Sequence, residues 1–180
     1  MQKLSTLKKN LIYAAWILLG VVLDQLTKLL AVRYLAPVGS YPLWKGVFHL
    51  TYVENRGAAF GMLAEHRWIF MIVSTVAILL IGAYLFSGRS YLSDKDEEGR
   101  YPPIPFFFGF SLATVISGGI GNMIDRIALG YVVDFLDFTL IDFAVFNVAD
   151  CFVTVGAFML AVPLLVSLIR SLVKDGQKKK

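Results

Sequence analysis

Four long apolar segments constrain the fold of this chain more than any other feature of its sequence. They lie at about 10–35, 67–87, 104–124 and 146–170. A helix needs roughly 20 mostly apolar residues to cross about 30 Å of hydrocarbon, and each segment is long enough. Hydrophobic residues make up 57% of the chain, which exceeds the roughly 45–50% that is usual in soluble domains. The sequence therefore predicts an all-α membrane protein in which residues 1–180 form one domain with four transmembrane helices.

The distribution of lysine and arginine predicts how these helices are oriented. Basic residues in short flanking segments mark the cytoplasmic side of a membrane. Three lie in the N-terminal tail, three in the loop 88–103 and five in the C-terminal tail, but only three lie in the loops 36–66 and 125–145. Both termini are therefore expected in the cytoplasm, and the last two loops are expected outside. Basic tails favour membrane lipids as partners, and their separation along the chain argues against nucleic-acid binding.

The first outward loop is predicted to form part of a small β-sheet. Residues 47–53 are mostly β-branched and aromatic, which favours a strand, and Gly39 and Pro42 before them indicate turns. One short strand or two are expected to lie on the outer membrane surface, where they could pair with residues 131–135. A short interfacial helix is expected at 58–64. The prediction is thus four transmembrane helices with a small extracytoplasmic β-sheet, or cradle, and one interfacial helix.

Two carboxylates near the outer membrane surface suggest acid–base chemistry. Asp134 follows a loop, and Asp150 lies sixteen positions later, near the start of the fourth apolar segment. An ionisable group in hydrocarbon costs roughly 2.5–3.5 kcal/mol on translocon scales, so such groups are rare without a role. If packing brings the two carboxylates together, repulsion and desolvation leave them one shared proton. One carboxylate could then deprotonate a water molecule while the other protonates or polarises a peptide carbonyl.

Three other interpretations remain open on spacing alone. The two aspartates could merely cap a strand end and a helix start, because perturbed carboxylates also occur in structural networks. A small proton-linked transporter could use Asp24, Lys28 and Asp150 as a relay, although four spans without an inverted repeat argue against it. A non-enzymatic helical scaffold would leave the convergence of polar residues at one surface unexplained.

The sequence offers little that could bind a metal ion or form a disulfide. It contains one cysteine, Cys151, and two histidines, and it lacks the CxxC and HExxH motifs of zinc sites. Cys151 lacks a matching histidine base, so we expect it to be a small core residue rather than a nucleophile. No metal ion and no other cofactor is expected.

Five sequence blocks resemble the motifs of one known family, and they occur in the family's order. The blocks are DQLTK at 24–28, NRGAAFG at 55–61, GGIGNMIDR at 118–126, VVDF at 132–135 and FNVAD at 146–150. Together they resemble the lipoprotein signal peptidases, also called signal peptidase II. One block alone would be moderate support, whereas five in register are highly specific.

The resemblance implies an aspartyl endopeptidase of the bacterial cytoplasmic (inner) membrane. Members of this family remove the signal peptide of a prolipoprotein just before a cysteine that carries diacylglycerol. By this resemblance Asp134 and Asp150 are the catalytic pair. The resemblance also implies a polar set that binds substrate: Asn55, Asn122, Arg126 and Asn147. Globomycin-type cyclic peptides are expected to inhibit the enzyme, which is expected to be a monomer.

Three further ionisable residues are expected to support the site rather than to act on substrate. Asp24 and Lys28 are one helical turn apart and could form a buried ion pair that stabilises the helices. Asp125 directly precedes Arg126 and is expected to organise the site. An alternative for Arg126 is an ion pair with Asp125 or a simple membrane anchor. The glycines of the third block are expected to permit close helix packing.

Overall fold

Four long helices run through the residues that the computed structural model describes, which are 4–57, 67–90, 99 and 102–178. The helices are α1 Thr6–Leu30, α2 Arg67–Ser87, α3 Phe106–Ala128 and α4 Val148–Lys178. A π-helical turn at Ala31–Leu35 extends α1. The four predicted helices are confirmed. Helix α2 has the predicted bounds, those of α1 and α3 differ by two to five residues, and α4 ends at Lys178 rather than at about 170.

Three of these helices are long and apolar enough to cross a membrane. They are α1 with its π-helical extension, α3, and the segment Val148–Val166 of α4, with 30, 23 and 19 residues. In α2 the apolar segment Met71–Ser87 is shorter. Helix α1 begins where Ser5 Oγ accepts a hydrogen bond from the Lys8 N–H at 3.4 Å. Helix α3 begins after Pro105, which occupies its N-cap position.

Helix α3 is the central helix of the bundle. It packs against α1, α2 and α4. In α3, 61% of the most apolar stretch is buried inside the protein, compared with 11% of the corresponding stretch in α4. Glycines allow this close approach. A Cβ on Gly121 would lie 2.5 Å from Asp24 Oδ2, and a Cβ on Gly118 would overlap the carbonyl oxygen of Ala149. The prediction that these glycines permit close helix packing is therefore confirmed.

A three-stranded antiparallel sheet packs against the C-terminal end of α1. Its strands, in spatial order, are β1 Ser40–Trp44, β2 Phe48–Asn55 and β3 Val132–Asp137. The pairing of β2 with β3 confirms the predicted contact between 47–53 and 131–135. Pro42 lies within β1 instead of marking a turn, because an edge strand tolerates a residue without an N–H. The predicted interfacial helix at 58–64 lies outside the described residues.

Candidate active site

Asp134 lies in the middle of β3, between two core residues. Val133 and Phe135 pack in a cluster with Ala31 and Leu35 of the π-helical turn. Side chains alternate along a strand, so Asp134 is directed to the opposite face of the sheet from its two neighbours. That face is also covered, because Asp134 is only 2% exposed. The core packing of its neighbours therefore fixes the position of this carboxylate.

The carboxylate of Asp134 accepts one hydrogen bond at each oxygen. Asn147 Nδ2 donates to Oδ1 at 2.6 Å, and Asn55 Nδ2, at the end of β2, donates to Oδ2 at 2.9 Å. Burial raises the pKa of Asp134 to about 6; the Asn55 hydrogen bond opposes this increase, and the charge of Asp150 adds to it. Asp134 therefore holds a proton more readily than an exposed aspartate does.

Asp150 is the third residue of α4 and belongs to a capping box with Asn147, the N-cap residue. Asn147 Oδ1 accepts the Asp150 N–H at 3.0 Å, and Asp150 Oδ2 accepts the Asn147 N–H at 3.1 Å. The other oxygen, Oδ1, accepts a hydrogen bond from Asn122 Nδ2 on α3 at 2.7 Å. The interpretation of Asp150 as a helix cap is thus correct in part, because the same side chain also borders a cavity.

Two asparagines connect the two carboxylates. Asn147 Nδ2 donates to Asp134 and also to Asn122 Oδ1 at 3.0 Å, and Asn122 in turn donates to Asp150. Asn147 is fully buried and does not line the cavity. Asn147 contacts both aspartates, Asn122 and the carbonyl oxygen of Val133; that it binds substrate stays a prediction. The strand-borne and helix-borne carboxylates therefore belong to one hydrogen-bond network.

A cavity of about 520 Å³ brings the predicted site residues together. Its polar lining consists of Thr154 and five predicted site residues: Asp134, Asp150, Asn55, Asn122 and Arg126. Its apolar lining includes residues 143–146, Val132 and Val155. Val132 and Phe146 belong to the sequence blocks, but the others were not identified, because single apolar residues carry no signal of their own. Cys151 also lines the cavity and is partly exposed. The expectation that Cys151 is a core residue is therefore wrong: the residue after Asp150 faces the same opening.

Arg126 lies in the last turn of α3 and faces the cavity. Its Nη1 donates to the carbonyl oxygen of Asn122 at 3.4 Å. Within the described part of the chain, Asp125 forms its ion pair with Lys28, at 3.0 Å, and not with Arg126. The alternative of an Arg126–Asp125 pair is therefore wrong, and the remaining guanidinium donors are available to a ligand in the cavity.

Behind the cavity, Lys28 is buried between two carboxylates. Its Nζ lies 3.0 Å from Asp24 Oδ2, as their helical spacing predicts, and 3.0 Å from Asp125 Oδ2. Sequence analysis missed Gln25, which donates to Asp125 Oδ1 at 2.9 Å; its signal was a polar residue inside an apolar helix. Among the described residues no group of three or more His, Cys, Asp or Glu side chains could hold a metal ion. The cation that this cluster holds is the Lys28 ammonium.

Comparison with known proteins identifies the family. A family model described as signal peptidase (SPase) II matches residues 16–166. The chain belongs to this family. The lipoprotein signal peptidase of Caldanaerobacter subterraneus subsp. tengcongensis is 50% identical over 140 residues, which are 78% of this chain and 86% of that protein. The lipoprotein signal peptidase of Clostridioides difficile is 41% identical over 155 residues, which are 86% of this chain and 95% of that protein.

Solved structures agree with this assignment. A bacterial membrane enzyme solved at 2.3 Å resolution has a TM-score of 0.65 and 27% identity, covering 94% of this chain and 92% of that one. A second, solved at 1.9 Å, has a TM-score of 0.69 and 26% identity, covering 86% and 92%. The chain is therefore a protease of the signal peptidase II family and a multi-pass bacterial membrane protein, and the transporter and scaffold interpretations are set aside.

Proposed function

We propose that this protein is an aspartyl endopeptidase that cleaves the signal peptide from diacylglyceryl-modified prolipoproteins, just before the lipidated cysteine. Asp134 and Asp150 are its catalytic pair. The observation that carries the proposal is that both carboxylates line one cavity and are joined through Asn147 and Asn122. Its relatives carry the name lipoprotein signal peptidase, which supports the substrate class.

The two aspartates have different surroundings, and these assign the shared proton. Asp150 lies in the first turn of α4, where the helix dipole favours a negative charge. Asp134 lies in a strand, and burial raises its pKa to about 6. In the reacting pair we therefore assign the negative charge to Asp150 and the shared proton to Asp134; with a pKa of about 6, Asp134 is protonated only in part at neutral pH. Each carboxylate uses two of its roughly four acceptor positions on protein donors, so positions remain for water and for the peptide.

This proton distribution defines the reaction. Asp150 removes a proton from a water molecule as its oxygen attacks the scissile carbonyl carbon, and Asp134 gives its proton to the carbonyl oxygen. The product is a tetrahedral diol. Asp150 then donates its new proton to the cysteine nitrogen while Asp134 takes one back from a hydroxyl, and the C–N bond breaks. Both carboxylates return to their starting states, and no metal ion or covalent enzyme intermediate is required.

The cavity lining suits a lipidated peptide. Asn55 and Arg126 present amide and guanidinium donors that can bind peptide carbonyls, and residues 143–146 provide an apolar surface for acyl chains or apolar side chains. The positive-inside distribution puts both termini in the cytoplasm and the cavity at the outer face. A lipid anchor in the outer leaflet would fix the depth of the scissile bond, and this would reduce the entropy lost when the bond is aligned with the two aspartates. Globomycin-type peptides would occupy the same cavity, and the enzyme would act as a monomer among membrane lipids.

The substrate proposal is tested by comparing a prolipoprotein before and after diacylglyceryl transfer. Purified enzyme should cleave the lipidated form, seen as a gel shift, and mass spectrometry should find the lipidated cysteine at the new N-terminus. The unlipidated form should be a poor substrate, because it lacks the group that sets its depth. Equal cleavage of both forms, or a cut elsewhere in the chain, would contradict the proposal.

A further inference from the structure

The backbone N–H of the residue before each catalytic aspartate donates to a carboxylate of the Lys28 cluster, which consists of Asp24, Lys28 and Asp125. The N–H of Val133, the residue before Asp134, donates to Asp125 Oδ2 at 3.0 Å. The N–H of Ala149, the residue before Asp150, donates to Asp24 Oδ1 at 2.8 Å. Both hydrogen bonds are buried. The strand and the helix that carry the two catalytic groups are therefore attached, at equivalent places, to the same cluster.

The Lys28 ammonium joins these two attachment points. Besides its contacts with Asp24 Oδ2 and Asp125 Oδ2, both at 3.0 Å, its Nζ donates to Asn122 Oδ1 at 2.9 Å. An ammonium has three N–H donors, so this group is saturated. Because Asn122 Oδ1 faces the ammonium, its NH₂ end is the one that faces Asp150. Lys28 itself is 3% exposed and does not line the cavity.

We propose that Asp24, Lys28 and Asp125 are positioning residues that set the separation and mutual orientation of Asp134 and Asp150. The proposal rests on the proposed function, because it concerns the same catalytic pair. None of the three residues lines the cavity, so they act through the backbone before each aspartate and through Asn122.

Physical reasons favour positioning over simple stabilisation. A buried ion cluster is a weak source of folding free energy, because desolvation offsets much of the Coulombic gain. A buried ion cluster does impose one arrangement on the groups that it joins. If one charged group moves away, the opposite charge is left buried without a partner, which is strongly destabilising. A dyad needs such precision, because a displacement of about 1 Å at reacting groups can reduce a rate about 100-fold.

The test uses the isosteric variants Asp24→Asn and Asp125→Asn. Asp24 uses Oδ1 for the Ala149 N–H and Oδ2 for Lys28, whereas an asparagine has only one oxygen and must give up one contact. The measurement is steady-state cleavage of lipidated prolipoprotein, corrected for the monodisperse fraction of each preparation. We expect kcat to fall about 10- to 100-fold in each variant, with KM unchanged because the cavity lining is intact.

The control is Thr114→Val, which removes another hydrogen bond between α1 and α3. Trp16 Nε1 donates to Thr114 Oγ1 at 3.0 Å, and neither residue lines the cavity. This variant should lower the melting temperature without changing kcat. An unchanged kcat in either asparagine variant, or a loss in the control that matches theirs, would overturn the positioning role.

A second pair of variants decides the question if an asparagine variant does not fold. Gly121→Ala keeps every charge but puts a Cβ 2.5 Å from Asp24 Oδ2, so it displaces the carboxylate. It should lower kcat at constant KM, whereas Gly82→Ala, whose Cβ meets nothing within 4 Å, should not. Equal kcat values for the two alanine variants would overturn the proposal. The proposed function fails separately, if wild-type enzyme does not cleave lipidated substrate or if Asp134→Asn and Asp150→Asn remain active.

Discussion

Asp134 is almost fully buried, yet both of its oxygens accept amide hydrogen bonds. Burial favours the protonated form, and the two asparagine donors favour the ionised form. Burial prevails, because the pKa of Asp134 rises to about 6. The same environment that makes Asp134 the acid of the proposed reaction therefore gives the folded protein a pH-dependent stability.

The first prediction concerns this stability. The pKa of Asp134 is about 6 in the folded protein and 3.8 as an ordinary value, so the folded state binds the proton more tightly. Protonated Asp134 therefore contributes on the order of 3 kcal/mol to the free energy of unfolding. This contribution is complete below about pH 4 and is lost as the pH rises through about 6. An asparagine does not titrate, so only the wild-type protein loses this stability. The melting temperature of Asp134→Asn in detergent, minus that of wild type, should therefore increase from pH 4 to pH 7. Parallel curves for the two proteins would contradict this.

At the scale of elements, the start of α4 performs two tasks with the same side chains. Asn147 caps the helix through Oδ1 and reaches Asp134 and Asn122 through Nδ2. Asp150 completes the capping box and borders the cavity. Helix stability and dyad geometry are thus joined in one residue, Asn147, and two substitutions there can separate them.

The second prediction separates these tasks. Asn147→Ser keeps an oxygen that can cap α4 but loses the NH₂ donor to Asp134, whereas Asn147→Ala loses both. The alanine variant should be less stable than the serine variant by about 1 kcal/mol, measured by thermal unfolding. Both should lose most of their activity, because neither donates to Asp134 Oδ1, so that only the Asn55 hydrogen bond is left to orient the carboxylate. An active serine variant would mean that the cap alone matters.

The elements differ in how well the sequence predicts them. The helices were predictable because a span of about 20 apolar residues has few alternatives, and β2 was predictable from its β-branched and aromatic residues. The edge strand β1 was not, because Pro42 is typical of turns and only the tertiary position on a sheet edge makes it acceptable. The π-helical turn Ala31–Leu35 was not predicted either, because its composition does not differ from that of α1.

The site shows the same limit. Motif resemblance identified the residues of the network, but the partners of each side chain depend on packing between helices far apart in sequence. Asp125 directly precedes Arg126 in the chain, yet its ion pair is with Lys28. Asn147 is predicted to bind substrate, and only the fold shows that it is fully buried and donates to Asp134. The motifs therefore identify the residues of the site, but only the fold shows which partner each side chain hydrogen-bonds.

At the scale of the whole molecule, the chain order brings the site together at one end of the bundle. The sheet strands β1 and β2 lie in the connection between α1 and α2, and β3 lies in the connection between α3 and α4. The C-terminal end of α3 therefore meets the N-terminal end of α4 beside the sheet, and the cavity opens there. With the proposed orientation, this end is at the outer leaflet, where a lipid-anchored substrate would present its scissile bond.

The most direct measurement is a gel-shift assay of lipidated prolipoprotein with purified wild-type enzyme, Asp134→Asn and Asp150→Asn. The matched control is Asp137→Asn, on the same strand as Asp134 but bonded to Thr51 and outside the cavity lining. Each catalytic variant should lose about 100-fold or more in rate while remaining folded, and the control should cleave like wild type. Undiminished cleavage by either Asp134→Asn or Asp150→Asn would contradict the catalytic pair.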